Sequence, residues 1–449
     1  MRIYPDDVSG ESLRRRTFRW SQIEAGLYAV MVGSAETFAI FFAIKKGISS
    51  DQVALLHTLP ILLGSIANWI VPAITPQKHL KKFLCAAVAV QCLGLGLTVT
   101  AFTGDNFFPT LLTALSLYWI GGMVASPLWL DWISPWLPKE RFARYFSRRN
   151  AYTSFITVCI FLALSYLLYW KDTESHLLLI LSLGFIARSL SLCFLMAQAS
   201  PVERHRRGES APDTVTLSDP KRVPSPWKNV LRSPVILSVG IFTVMFKFMA
   251  VIASPFTVPY MLNDLHFPLI HYAWITAIPY FGRAMFLASW GEAVRSFRPF
   301  VGLQICLIAI SGTMSLWASV QSFWGLMATE LLAGIFWGGF ELSVVLVFQN
   351  FAPGRARTLI GAHLAAMNLA ALGGAHVGAQ LLKSGVPVHD LFVISATGRA
   401  IVAFSFLGVM LVLKEASTSY RVYTNFLWTA LSLRPSIANI GRIVLQRKA

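Results

Sequence analysis

Charge is scarce in this chain, and negative charge most of all. Only 13% of the 449 residues are Asp, Glu, Lys or Arg, with 21 acidic against 38 basic, whereas a soluble domain carries about 25% charged residues. Cysteine is sparse too. Cys85, Cys92, Cys159, Cys193 and Cys306 all fall in apolar runs without C-x-x-C spacing, which excludes a metal clip or redox pair and leaves them as small buried hydrophobes. No N-x-S/T sequon, G-x-S-x-G elbow or H-E-x-x-H pair occurs, so glycosylation, hydrolase and zinc-protease chemistry all lack their local signatures. His363 and His376 share a helix but stand thirteen residues apart, about 220° around it, and cannot ligate one metal from one face. These absences leave no catalytic residue, metal or cofactor to expect, and a polytopic membrane enzyme is the weakest reading.

Apolar length is what the chain has. It is 55% hydrophobic, with a mean hydropathy of +0.59, and crossing a ~30 Å hydrocarbon layer takes about 20 apolar residues in helix. Twelve stretches qualify: 22–44, 52–74, 83–103, 108–131, 151–170, 176–197, 233–258, 268–290, 300–320, 323–350, 358–382 and 391–413. They are too long and continuous for the alternating ~10-residue strands of a membrane barrel. An all-α membrane protein with 12 transmembrane helices is expected. The first apolar run exceeds the core of a signal peptide and is read as the first span.

The formal charge of +17 raises the question of nucleic acid, and the position of the basic residues decides against it. Thirty of the 38 Lys and Arg lie on the side of the termini, four (Lys45, Lys46, Lys171, Lys383) on the opposite side, and four inside spans. Such asymmetry places both termini in the cytoplasm. The short outer loops and missing sequons favour a bacterial inner (plasma) membrane.

A long polar insertion from Ser200 to Arg232 separates six spans from six. Landmarks repeat across it. Gly64 matches Gly282, and Trp119 in "YWIGG" matches Trp337 in "FWGG", each 218 residues on. Pro138, Arg141 and Arg144 in "PKERFAR" are echoed by Pro353, Arg355 and Arg357 in "PGRAR", and Arg188 by Arg399. Because six is even, the copies enter the membrane in the same sense, as two parallel six-helix pseudo-repeats. The expected division is a cytoplasmic N-terminus (1–21), an N-terminal bundle (22–197), a linker (198–232), a C-terminal bundle (233–413) and a cytoplasmic amphipathic tail (414–449).

In these features the chain resembles the major facilitator superfamily of secondary transporters, over about residues 20 to 415. It departs from that family in the loop after the second span, "AITPQKHLKK", which lacks the acid and glycine of the usual cytoplasmic latch; Asp131 and Glu292 are alternative acids. The fifth span lacks the glycine–proline pattern of drug antiporters, which weighs against drug efflux.

The resemblance implies that the first, fourth, seventh and tenth spans line a central cavity. On them stand Glu36, Lys247, Glu330 and Glu341 as candidates for substrate binding or proton coupling, with Lys247 expected to bind an anionic group or to pair with Glu36 or Glu341. An ionisable group inside a membrane normally marks a pathway or a proton relay; a static buried pair is the structural alternative. Trp119, Trp337, Ser116, Ser126, Thr243 and Ser254 are expected to line the cavity, and the Pro138 and Pro353 loops to serve as cytoplasmic motifs. Arg188 and Arg399 are expected to satisfy carbonyls or snorkel, and Arg283 to reach the cytoplasm. Trp132, Trp136, Trp170 and Trp290 read as an interfacial belt. Gly374 and Gly378 form a small-xxx-small face, and Pro255 and Pro259 a hinge. The residues after Tyr420 read as a helix on the cytoplasmic leaflet. The resulting expectation is a monomeric, proton-coupled secondary transporter of a small organic solute, whose partners are that solute, protons and membrane lipids. A lipid or glycolipid flippase of the same fold is the alternative.

Overall fold

A backbone in hydrocarbon has to satisfy its own hydrogen bonds, and helix is the way to do so within one segment. The computed structural model describes residues 7–133, 139–170, 174–198, 232–352, 356–415 and 419–432, and among them the regular structure is helical, with no strand. The chain divides into two compact units, residues 1–222 and 223–449.

In the first unit, α1 (Asp7–Met31) runs through a π-helical segment (Val32–Glu36) into α2 (Thr37–Lys45). Then follow α3 (Ser50–Ile74), α4 (Leu80–Thr103), α5 (Phe107–Ile133), α6 (Lys139–Trp170) and α7 (Glu174–Ala197). The second unit holds α8 (Pro234–Val251), a broken stretch of 3-10, α and π turns (Ser254–Asp264), α9 (Leu269–Ser296), α10 (Pro299–Ser319), α11 (Phe323–Phe351), α12 (Ala356–Lys383), α13 (Val388–Val412) and α14 (Tyr420–Ala430).

Helix starts are set by serine caps that satisfy first-turn N–H groups. Ser49 and Gln52 form a capping box on α3. The Ser233 and Ser322 hydroxyls accept from the Ile236 and Gly325 amides at 3.4 and 3.3 Å. Ends are set by Gly47 and Gly385, whose φ values of 80° and 90° reverse the chain after α2 and α12. After α8, Pro255 and Pro259 lack amide hydrogens and the helix gives way to short turns.

Each of the twelve expected stretches coincides with a helix, but ten of the described segments are long and apolar enough to cross a membrane. In α9, His271, Tyr280 and Arg283 stand along what would be its span and lower its hydropathy.

The helices of each unit pack in a definite set of neighbours. In the first, α4 packs on α5, α3 on α5, α1 on α7, α4 on α7 and α1 on α6. In the second, α10 packs on α11, α9 on α11, α8 on α13, α10 on α13 and α8 on α12. Trp132 and Trp290 are 1% and 0% exposed and belong to the unit cores, not to an interfacial belt. Their rings fill space that a smaller side chain would leave empty, while Trp136 and Trp170 lie among residues whose side chains are not described. The tail helix α14 also departs from expectation. Phe426 is fully buried against Trp290 and Phe297, with ring centroids at 5.4 and 5.7 Å, so α14 docks on the second unit as well as presenting Tyr420 and Trp428 outward. The linker from 199 to 231 and the tail from 433 lie outside the described residues.

Close approach of α12 to α8 depends on glycine. A Cβ built on Gly378 would sit 2.0 Å from the Ile252 carbonyl oxygen, whereas one on Gly240 would meet nothing within 4 Å. Gly378→Ala must separate two backbones, and we expect a loss of about 1–3 kcal/mol. Gly240→Ala is expected to stay within about 0.5 kcal/mol of wild type. Equilibrium unfolding of the two variants in matched detergent micelles checks the contrast.

Candidate functional site

In the first unit, Glu36 closes the π segment that interrupts the first membrane helix. The extra residue per turn in such a segment displaces backbone partners, and these segments concentrate at functional positions. Here the segment is held by small residues: Gly33 lies against α6 at the Thr157 carbonyl, and Gly184 of α7 against Ala35. The Tyr118 hydroxyl of α5 donates to the Glu36 carboxylate and also lies 3.2 Å from the Met31 sulfur. Tyr118 is 2% exposed, so this bond is made largely out of water.

About three helix turns nearer the start of the chain, at Glu24, lies a second polar cluster, which the span assignments did not anticipate. Glu24 of α1 accepts from Arg149 of α6 at 2.8 Å and pairs with Arg188 of α7 at 3.5 Å. Arg188 also donates to Gln91 of α4 and to Ser191, and Arg149 stacks over the Trp129 ring at 4.0 Å. One carboxylate thus serves two guanidinium groups. Arg188 does not snorkel; it is 4% exposed and tied to side chains rather than to carbonyls. Sequence reasoning passed over Glu24 and Arg149 because both stand at the ends of their apolar runs, where a charge normally needs no partner.

The second unit contains a cavity of about 290 Å³. Its wall includes Lys247, Ser254 and Thr257 from α8 and the broken stretch, Tyr280 and Arg283 from α9, Trp317 from α10, Glu330 and Trp337 from α11, and Arg399 from α13. The Lys247 ammonium lies over the Trp337 ring, 5.4 Å from its centroid. The Trp317 indole N–H donates to Glu330 at 2.7 Å. Arg399, 4% exposed, gives its terminal nitrogens to the carbonyls of Ala250 and Ile310 at 2.9 and 3.5 Å, and its covered Nε–H has no partner among the described residues.

One expectation needs correction. Glu341 does not pair with Lys247, because Arg283 from α9 lies alongside it and takes both carboxylate oxygens in a fork. Arg283 is thereby engaged by an acid, and its side chain stays 44% exposed. Trp337 and Ser254 stand on the cavity wall. Trp119 is placed edge-on to Tyr118, with centroids 5.6 Å apart. The Ser116 hydroxyl is bonded to its own helix at Leu112, Thr243 to Val239 and to His363, and Ser126 is exposed. Pro138, Pro353 and Arg355 lie outside the described residues; Arg141 and Arg144 fall in the first turns of α6, and Arg357 in the first turn of α12.

Apolar helices long enough to span a membrane, with ionised groups gathered around an internal cavity, define a polytopic membrane protein of the transporter type. The family model described as Major Facilitator Superfamily matches residues 25–375, and the chain belongs to that superfamily. No curated protein matches the sequence. Among solved structures, a mutant of the nucleoside transporter NupG is similar with a TM-score of 0.67 and 13% identity, over 88% of this chain and 99% of that one. A D-xylose–proton symporter is similar with a TM-score of 0.61 and 11% identity, over 88% and 96%.

The Glu24 cluster and the Glu341 pair differ in burial, and the difference sets their worth. Glu24→Gln strands two buried guanidinium groups and is expected to cost about 3–5 kcal/mol. Glu341→Gln breaks a pair whose side chains are about half exposed, and its cost is expected within about 1 kcal/mol. Thermal unfolding of purified protein, followed by tryptophan fluorescence, orders the two.

Proposed function

We propose that this protein is a secondary active transporter that moves a small organic solute across a membrane by alternating access, coupled to protons. The observation that carries the reading is the second unit's cavity, where an ammonium, two guanidinium groups, a carboxylate and two indoles converge at the broken end of a membrane helix. Such irregular backbone is tolerated at membrane depth where it lines a cavity, and discontinuous helices commonly build transporter sites. Lys247, Glu330, Trp337 and Ser254 form the solute side of the proposal. Glu36, held by Tyr118 at a π segment, is the proposed proton carrier, because a carboxyl in such a place can take up and release a proton as its hydration changes. Glu341 has the lesser part of a latch with Arg283.

Twelve spans in two parallel repeats complete the proposal, with bundles at 22–197 and 233–413, a linker at 198–232, and the 1–21 and 414–449 termini in the cytoplasm of a bacterial inner membrane. The repeat is supported by the five helix pairings, which correspond one for one between units when each unit's spans are counted in order. It is also supported by two arginines: Arg188 reaches from the sixth span of its half to the first and third, and Arg399 does the same in the other half. The loop motifs around Pro138 and Pro353 are read as cytoplasmic elements of the access change. The similar solved structures share the fold at 11–13% identity, so the solute has to be argued from this chain's own cavity.

Reconstitution into liposomes with an imposed pH gradient tests the proposal. Solute flux driven by the gradient is expected; movement of fluorescent lipid without solute flux would select the flippase instead. Glu36→Gln is expected to abolish gradient-driven flux while solute exchange at equal pH persists, and Lys247→Ala to abolish both with the folded yield unchanged. Wild-type driven flux by both variants would remove these residues from the mechanism.

A further inference from the structure

The charges around the second unit's cavity do not balance. Arg283 and Glu341 neutralise each other in their fork. Glu330, which accepts from Trp317, offsets one of the two remaining cations, Lys247 and Arg399. Within this unit no carboxylate among the described residues lies at ion-pair distance from either cation. Among the described residues of this unit one positive charge is left over, and an uncompensated charge away from bulk water is costly. Among those residues the Lys247 ammonium has the Trp337 ring as its neighbour and no acid at ion-pair distance. An anion placed there would meet that ammonium, backed by the Arg399 guanidinium that two backbone carbonyls hold on the cavity wall.

The remaining wall sets the body of the ligand. Trp337 and the exposed Tyr280 offer ring surface on which a planar ring packs well, and Trp317, 3% exposed, closes the wall beside Glu330. The volume of about 290 Å³ corresponds to about ten liquid-water molecules, and so to a solute of about ten non-hydrogen atoms. We infer that the cavity binds a small aromatic monoanion, its acid group on Lys247 beside Arg399 and its ring against this aromatic wall. This rests on the transporter reading above for its physiological meaning, and it names the class of solute.

Phenylacetate is the probe, with phenylacetamide and phenethylamine as the neutral and cationic counterparts of similar shape. Equilibrium binding of radiolabelled phenylacetate to the purified full-length protein in nanodiscs is expected to saturate, with the amide and the amine displacing it roughly tenfold more weakly or worse. Lys247→Met keeps the stem of the side chain, and is expected to weaken phenylacetate binding by roughly tenfold or more while holding or raising the melting temperature of the ligand-free protein, because a charge without an acid partner is removed; Lys247→Arg is expected to retain binding. Absence of saturable phenylacetate binding, equal competition by the amide or amine, or wild-type affinity in folded Lys247→Met would each overturn the assignment. Counterflow in proteoliposomes separates the two readings. Phenylacetate that binds without exchanging sinks transport but keeps the anion site, and exchange of amines or neutral solutes alone keeps transport but sinks the anion.

Discussion

A formal charge in hydrocarbon has to be met by something inside the protein, because the water that would otherwise hold it is gone; the residual cost on insertion scales is about 2.5–3.5 kcal/mol. Four cations stand inside the spans, and each meets this constraint differently. Arg188 shares a carboxylate and a carboxamide. Arg399 is held by main-chain oxygens, and Arg283 is forked onto an acid. Lys247 has an aromatic face, the weakest of these arrangements, since a cation–π contact is worth about 0.5–2 kcal/mol. The unevenness singles out the second unit's cavity as the place where free energy is still to be gained, by a solute and not by folding.

The two units solve one architectural problem with different chemistry. Arg188 on α7 ties together α1 and α4, and Arg399 on α13 ties together α8 and α10. The first unit does this with side chains, Glu24 and Gln91, and the second with backbone carbonyls on Ala250 and Ile310. Arg188 thereby spends its charge on an acid, whereas Arg399 meets neutral oxygens and keeps its charge on the wall of the second unit's cavity.

The sequence made the helices and their order legible because spanning hydrocarbon demands uninterrupted apolar length. Arg399 on its carbonyls and Trp337 on a cavity wall were readable from position and helical spacing. Other features left no local trace. The Arg283–Glu341 fork joins residues 58 positions apart on helices whose mutual rotation no periodicity specifies. Glu24 and Arg149 look solvated in a linear reading and are buried by tertiary packing. Trp132 and Trp290 resemble interfacial anchors by position, and only the neighbouring helices reveal that their rings are covered. The tail helix was legible as amphipathic, but its apolar side could have faced lipid equally well; Phe426 settles on Trp290 and Phe297 because that pocket is open to an aromatic ring.

The π segment before Thr37 carries a consequence for how the first span has to be read. One residue lodged out of α-helical phase rotates everything beyond it by about 100° relative to an unbroken helix. Phe38, Phe41 and Phe42, which face the first unit's interior, owe their orientation to that phase step. Removing a single residue between Val32 and Glu36 would leave the aromatic cluster chemically intact and aim it at the wrong neighbours, so the length of this segment is as much a determinant of the first span as the side chains it contains.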